Sequence, residues 1–317
     1  MRYTEFSLIE HIKNSFASIV PHGVCGIGDD CAVEPLDEKN SLITTTDMLV
    51  EDVHFLRSKI SAFSLGRKAV AVNLSDVAAM GGHPKTLFLS LALPQNTDPI
   101  WLDDFILGMR SWGVPLLGGD TTKSLNSLII NIVVQGIVPT TNLKLRSGAK
   151  VGDTIFVSDT LGKSAAGLLV IQSEGLDSKE YELLVEAHNN PHPCMAQGEW
   201  LGAQQGVHAM MDISDGVASD LRHILKASSV GAQVDINMIP LSEELLKACA
   251  QNNWDTMQLA LGGGEDFALL LTAENTVAEH YRHHFGTELY PIGTITKGSE
   301  LQWINGLGRD FRGYSHF

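Results

Sequence analysis

Gly26-Ile27-Gly28-Asp29-Asp30 is the stretch from which the rest of the chain is read. Two glycines permit a tight turn, and two adjacent carboxylates stand where an apolar run is about to begin. The same acidic punctuation recurs at Thr44-Thr45-Thr46-Asp47, Asn73-Leu74-Ser75-Asp76, Gly118-Gly119-Asp120-Thr121-Thr122, Asp212-Ile213-Ser214-Asp215-Gly216 and Gly263-Gly264-Glu265-Asp266. Each lies at a junction of apolar structure, so folding can gather them. Carboxylates gathered in one place repel unless they take up protons or hold cations. Their Thr, Ser and Asn companions add further oxygen donors, and magnesium is the cation that bridges carboxylates to substrate phosphates. The expectation is magnesium held around a nucleoside triphosphate.

Around these junctions the periodicity alternates between helix and strand. An amphipathic helix is expected over 5–18 and strands over 31–36 and 41–50. A long Ala/Val/Leu helix follows over 62–80, stopped by Gly81-Gly82 and Pro84. Then come a strand over 86–93, a helix over 99–112 with Pro99 in its first turn, and strands over 114–117 and 127–138. The polar, turn-rich residues 139–153 read as a linker between domains over 1–138 and 154–317. The second half continues with strands and helices, and its aromatic tail, from Phe311 to Phe317, is expected to dock. The fold class is α/β (α+β), with mixed sheets covered by helices.

The chain has 317 residues, is 44% hydrophobic and carries a net charge of −15, enough apolar content for two domains with cores. With no basic block, nucleic acid is disfavoured as a partner. Cys25, Cys31, Cys194 and Cys249 form no metal or disulfide framework. The opening residues lack the apolar core of a signal peptide, and no stretch is long and apolar enough to span a membrane. A cytoplasmic protein is expected.

Two tempting motifs fail. Gly162-Lys163-Ser164 follows a strand as a P-loop does, but Val157 stands where the first Gly belongs. His188 and His192 are a turn apart, yet Pro191 and two Asn residues intervene, favouring a loop or capping role over zinc. Asp37, Asp98, Asp153 and Asp159 read as turn or cap residues.

The acidic set suits transfer of a phosphoryl group to an acceptor that is itself a phosphate. Two unit like charges 4 Å apart cost about 4 kcal/mol at an effective dielectric of 20, so cations must sit between donor and acceptor. Such an acceptor is largely ionised at neutral pH, with a second pKa of about 6. No general base is then needed, and positioning with charge neutralisation carries the catalysis.

The ordered set resembles the thiamine-monophosphate kinase family, within the aminoimidazole ribonucleotide synthetase-like superfamily, along essentially the whole chain. The resemblance rests on the motifs above together with His54-Phe55, Ala78-Ala79-Met80-Gly81, Arg146-Ser147-Gly148-Ala149 and Gly313-Tyr314. It implies a two-domain fold whose N-terminal domain dimerises through its sheet, giving a homodimer. It also implies ATP-dependent, magnesium-assisted in-line phosphorylation of thiamine monophosphate to thiamine diphosphate. Residue by residue, it implies magnesium ligands at Asp30, Thr45, Thr46, Asp47, Asp76, Asp120, Asp212 and Asp215, with Asp47, Asp120 and Asp212 acting in catalysis through the metal. ATP contacts fall at Gly119, Asp120, Arg146 and Ser214, and substrate contacts at His54, Glu265 and Tyr314. Asp52 departs from the pattern, standing where the family commonly has Gly. The competing readings are another ATP-dependent member of the superfamily and a non-catalytic metal-binding protein.

Overall fold

The computed structural model describes residues 3–306 and 308–314. Helix α1 (Glu5–Phe16) starts at Thr4, whose side chain accepts a hydrogen bond from the Ser7 N–H. No residue of α1 is buried, and Phe6, Ile9, Ile12 and Phe16 of its apolar stripe stay exposed.

Five strands follow: β1 (Ala32–Pro35), β2 (Asn40–Val50), β3 (His83–Pro94), β4 (Leu116–Ser124) and β5 (Ile129–Pro139). They pair in the order β1-β2-β5-β3-β4, antiparallel except for β3 with β4. Alternation along the strands buries Ile43, Thr45 and Leu49 of β2 and Ile130, Ile132 and Val134 of β5. These side chains meet helix α2 (Ala62–Ala79), which is buried almost all round. That explains its sequence, whose Ala, Val and Leu residues are spread around the helix rather than confined to one stripe. Helix α3 (Pro99–Arg110) packs on α2 backbone to backbone. A Cβ added at Gly66 would stand 2.0 Å from the Phe105 carbonyl oxygen, and one at Gly108 2.0 Å from that of Phe63.

Residues 140–153 carry neither helix nor strand. Beyond them, β6 (Thr154–Val157), β7 (Val207–Asp212), β8 (Gly231–Asp235), β9 (Leu269–Ala273), β10 (Tyr290–Thr296) and β11 (Leu301–Ile304) form a second mixed sheet in the order β11-β8-β10-β6-β9-β7. Helices α4 (Lys163–Gln172), α5 (Glu182–Asn189), α6 (Met195–Gly202), α7 (Val217–Ser228), α8 (Glu243–Asn252), α9 (Thr256–Gly262) and α10 (Thr276–Phe285) cover it. Ile155, Val157, Leu221, Ile224, Leu270 and Ile292 lie at the centre of its largest core. The far side of α2 packs on this half: a Cβ at Gly198 of α6 would lie 2.2 Å from the Ala78 carbonyl oxygen.

The expected α/β architecture of mixed sheets covered by helices is therefore present, with two local differences. Gly118-Gly119-Asp120-Thr121-Thr122 is not a turn after a short strand; it lies inside β4, on the edge of the first sheet. Gly119 is required there because a Cβ would sit 1.7 Å from the Leu89 carbonyl oxygen of β3. Helix α9 was not foreseen, being only seven residues long; its start is marked by Asp255, which accepts from the Gln258 N–H. The tail docks as far as it is described: Phe311 is buried, and the Tyr314 N–H donates to the Asp215 carbonyl at 3.0 Å. Residues 315–317 lie outside the described residues.

Candidate active site

Helix α2 is buried between the two halves, so its polar residues are the ones that can reach both. Asn73, Ser75 and Asp76 do so. The Asn73 Oδ1 accepts from the Asp47 N–H of β2 at 3.1 Å. The Asp76 Oδ2 accepts a hydrogen bond from the Thr45 hydroxyl, also on β2. The Ser75 hydroxyl donates across the boundary to Asp212 Oδ2, at the end of β7, at 2.7 Å. The turn at 26–30 closes the arrangement from a third side. Arg146 donates from Nη2 to Asp30 Oδ1 at 2.6 Å, while its backbone N–H donates to the Asp29 carboxylate at 3.1 Å.

These bonds bring Asp30, Asp76 and Asp212 together, with one oxygen of each inside a common 4.8 Å span. Burial, then neighbouring negative charge, pushes Asp76 well above the usual carboxylate range and Asp212 up to about 8. Burial also raises Asp30, against the opposing pull of the Arg146 cation. Asp47 is raised to about 6, by burial and by the charge of Glu265. Three carboxylates this close cannot all ionise without a cation among them. The Asp30 Oδ2 is buried without a hydrogen-bond partner. An all-oxygen donor set with such an orphaned carboxylate oxygen fits magnesium, and the lack of His or Cys in the cluster argues against a soft metal.

A cavity of about 650 Å³ opens beside the cluster, and Asp47, Asp76, Asp212, Ser214, Asp215, His54, Glu265 and Tyr314 are among its lining residues. His54 is fixed by its own loop: Nδ1 accepts from the Val50 N–H at 3.0 Å, which leaves the ring proton on Nε2. That loop holds Asp52 in a left-handed conformation, φ 69°, the reason Gly suits the position. Glu265 (φ 63°) and Phe267 (φ 49°) are also left-handed, held there by the segment after β7. Glu265 N–H donates to the Ser214 carbonyl at 2.8 Å and Phe267 N–H to that of Ile213 at 2.9 Å. Non-glycine residues in this region cost on the order of 1–3 kcal/mol each and concentrate at functional sites.

Not every candidate converges in the single chain. Thr46 points to the opposite face of the first sheet from Thr45 and Asp47, as strand alternation demands, and is exposed there. Asp120 is exposed on β4, in register with Ser90 of β3, which is in register with Asn131 of β5. Gly119, beside it, is exposed too. The rejected phosphate motif has a physical explanation. The N-terminus of α4, at Gly162-Lys163-Ser164, is already occupied by the carboxylate of Asp266, whose Oδ2 accepts from the Gly162 N–H at 2.8 Å and Oδ1 from the Ser164 N–H at 3.4 Å.

Sequence reasoning missed two residues. Lys68 is a lysine inside the Ala/Val run of α2, and it is buried with its Nζ 2.7 Å from Glu265 Oε2. His188, taken for a loop or capping residue, is buried in the last turn of α5 between Ser164 and Lys68. The one signal available for Lys68 was the charged pair Arg67-Lys68 at the head of the run Ala69-Val70-Ala71-Val72.

Two family models match the chain: AIR synthase related protein, N-terminal domain, over residues 28–138, and its C-terminal domain over residues 150–304. The thiamine-monophosphate kinase of Escherichia coli K12 is 38% identical, covering 99% of this chain and 98% of its own length. That of Bacillus subtilis 168 is 33% identical, covering 92% and 93%. Among solved structures, AaThiL complexed with AMPPCP and TMP superposes with a TM-score of 0.86 at 33% identity, covering 100% of this chain and 99% of its own. The enzyme of Stenotrophomonas maltophilia K279a gives 0.77 at 32%, covering 94% and 96%. The hydrogenase maturation protein HypE in complex with ATP, at 20% identity and a TM-score of 0.66, shares the fold.

Proposed function

We propose, for a chain that belongs to the thiamine-monophosphate kinase family, that the cavity between its two halves is where ATP phosphorylates thiamine monophosphate, giving thiamine diphosphate and ADP. The observation that carries this reading is the convergence of Asp30, Asp76 and Asp212 beside a cavity that Asp76, Asp212, His54, Glu265 and Tyr314 line together. Groups suited to phosphate and groups suited to an organic cation thus share one space.

Asp30, Asp76 and Asp212, with Thr45, Asp47 and Asp215 beside them, would hold magnesium. The bound ion would neutralise the two phosphate groups that must approach each other. Arg146 sits on Asp30 with its Nε buried and unpaired, a charged donor for a phosphate oxygen of ATP. Ser214, on the cavity wall, completes the nucleotide side. On the acceptor side, His54 Nε2–H donates to the phosphate of thiamine monophosphate. Tyr314 presents its ring to the thiazolium cation, and Glu265 places a carboxylate near the same positive charge. The attacking phosphate oxygen is already ionised near pH 7, its second pKa being about 6. The side chains therefore orient the two anions in line and remove no proton.

The chain works as a homodimer in the cytoplasm, and the partner packs on the open face of the first sheet. That face carries Thr46, Met48 and Asp120, all exposed, and the adjoining edge exposes Leu116 and Leu117. This placement accounts for the three candidates, Thr46, Gly119 and Asp120, that lie away from the cluster in one chain. Among the described residues no helix is long and apolar enough to cross a membrane.

The test is a coupled assay of ADP release with ATP, magnesium and thiamine monophosphate, with product identified by mass. Turnover to thiamine diphosphate is expected. Turnover instead with an amidine precursor of purine synthesis, and none with thiamine monophosphate, would overturn the assignment.

A further inference from the structure

Lys68 is unusual in being a lysine with only 1% of its side chain exposed. A charge buried so deeply persists only when paired and hydrogen-bonded. Its Nζ makes three contacts, all to the second half of the chain: Glu265 Oε2 at 2.7 Å, the His188 carbonyl oxygen at 3.0 Å and His188 Nε2 at 3.4 Å. His188 Nδ1 lies 3.1 Å from the Ser164 hydroxyl and 3.2 Å from the same Glu265 Oε2. Burial, then the Lys68 charge, pushes His188 down to about 4, so its ring is neutral near pH 7. With Lys68 donating to Nε2, the ring proton resides on Nδ1, facing Ser164 and Glu265.

One oxygen of Glu265 is thus gripped from two directions. Glu265 keeps 26% of its side chain exposed and lines the cavity; Lys68 behind it is sealed, and His188, which also borders the cavity, is almost wholly buried. An isolated carboxylate in this position would be driven towards its neutral form by burial. The Lys68 contact is what opposes that, holding Glu265 below the usual carboxylate range. Lys68 also lies eight residues from Asp76 on the same helix, roughly 12 Å along the axis. Lys68, behind Glu265, and Asp76 of the acidic cluster are therefore carried by one rigid rod.

We propose that Lys68 and His188 are positioning residues for the acceptor: they hold Glu265 ionised and in one rotamer against the cavity, so that its remaining oxygen recognises the cationic part of the acceptor. The inference rests on the reading that thiamine monophosphate binds beside Glu265.

The experiment measures KM for thiamine monophosphate and for ATP, kcat and thermal unfolding in Glu265→Gln, Lys68→Met, Lys68→Arg and the Lys68→Met/Glu265→Gln double variant. Each single removal is expected to raise the acceptor KM about tenfold or more, the scale of a hydrogen bond to a charged group. ATP KM should stay within about twofold. Lys68→Arg should recover part of the loss, and the double variant should match Glu265→Gln alone. If Lys68→Met does not fold because it strands a buried charge, the double variant, which removes the pair together, still carries the comparison. An unchanged acceptor KM in Lys68→Met, or a double variant whose losses multiply, would overturn the positioning role while leaving the acceptor site intact. An unchanged acceptor KM in Glu265→Gln would instead remove the placement of the acceptor, and this inference with it.

Discussion

The Ser75 hydroxyl on α2 donates to the Asp212 carboxylate at the end of β7, 2.7 Å away, and so joins the two halves of the chain inside the acidic cluster. The bond orients one oxygen of Asp212 and leaves the other to a cation. Ser75→Ala is expected to raise the magnesium concentration for half-maximal activity about tenfold, since hydrogen bonds to charged groups contribute roughly 1.5–3 kcal/mol. Melting should change little. A magnesium titration of initial rates checks this, and an unshifted midpoint would mean that Asp212 is oriented without Ser75.

Asp47→Asn and Asp212→Asn should each lower kcat by on the order of 10³-fold, if the carboxylates act through a metal worth several kcal/mol to the transition state. Without magnesium the melting temperature of Asp212→Asn should stay near that of the parent at pH 7, where burial holds Asp212 largely protonated, and should exceed it above pH 8, where the repelling buried charge appears. Near-parental rates in both variants would remove their metal role.

The cluster also sets a pH dependence. Asp212 is pushed up to about 8, and Asp29 and Asp266 to about 7, chiefly by burial. Each folded-state value is raised above the unfolded one, so the folded chain binds more protons. Stability from these groups is full at low pH and is lost as pH rises through their folded values. His188 and His223, both lowered to about 4, act in the opposite sense only below their unfolded value of about 6.5. From about pH 6.5 to 8, then, the metal-free protein should lose stability, and magnesium should restore it. Calorimetry across this range tests the slope. Magnesium binding near pH 7 should also release protons, seen as a binding enthalpy that varies with buffer ionisation heat; no variation would count against protonated carboxylates.

Asp266 caps α4 rather than leaving its N-terminus to a phosphate. Asp266→Ala should cost about 1–2 kcal/mol of stability, the usual range for a lost cap. Lys163→Ala should leave ATP KM within about twofold. Chemical denaturation and steady-state kinetics check the two halves of this statement, and a large rise in ATP KM for Lys163→Ala would reinstate the phosphate loop.

Local chemistry was enough to read much of this chain. The apolar run of α2, the stop at Gly81-Gly82 and the Pro99 helix start are all encoded within a few residues. The cap at Asp98, which accepts from the Ile100 N–H, and the turn at Asp37, which accepts from Lys39 and Asn40, are equally local. The acidic motifs could be recognised as a set because each pairs a carboxylate with small polar companions at the end of an apolar run. What residue types alone did not reveal was which of them would meet. Thr46 and Thr45 are neighbours in sequence and lie on opposite faces of β2, while Asp30, Asp76 and Asp212 are far apart in sequence and share one 4.8 Å span. Lys68 was unreadable for the same reason: its partners, Glu265 and His188, come from the other half of the chain, and only packing α2 between the two sheets makes a buried lysine tolerable. Side-chain chemistry is a property of the residue, whereas a charge's partner, and with it the charge's role, is a property of the distance that folding sets.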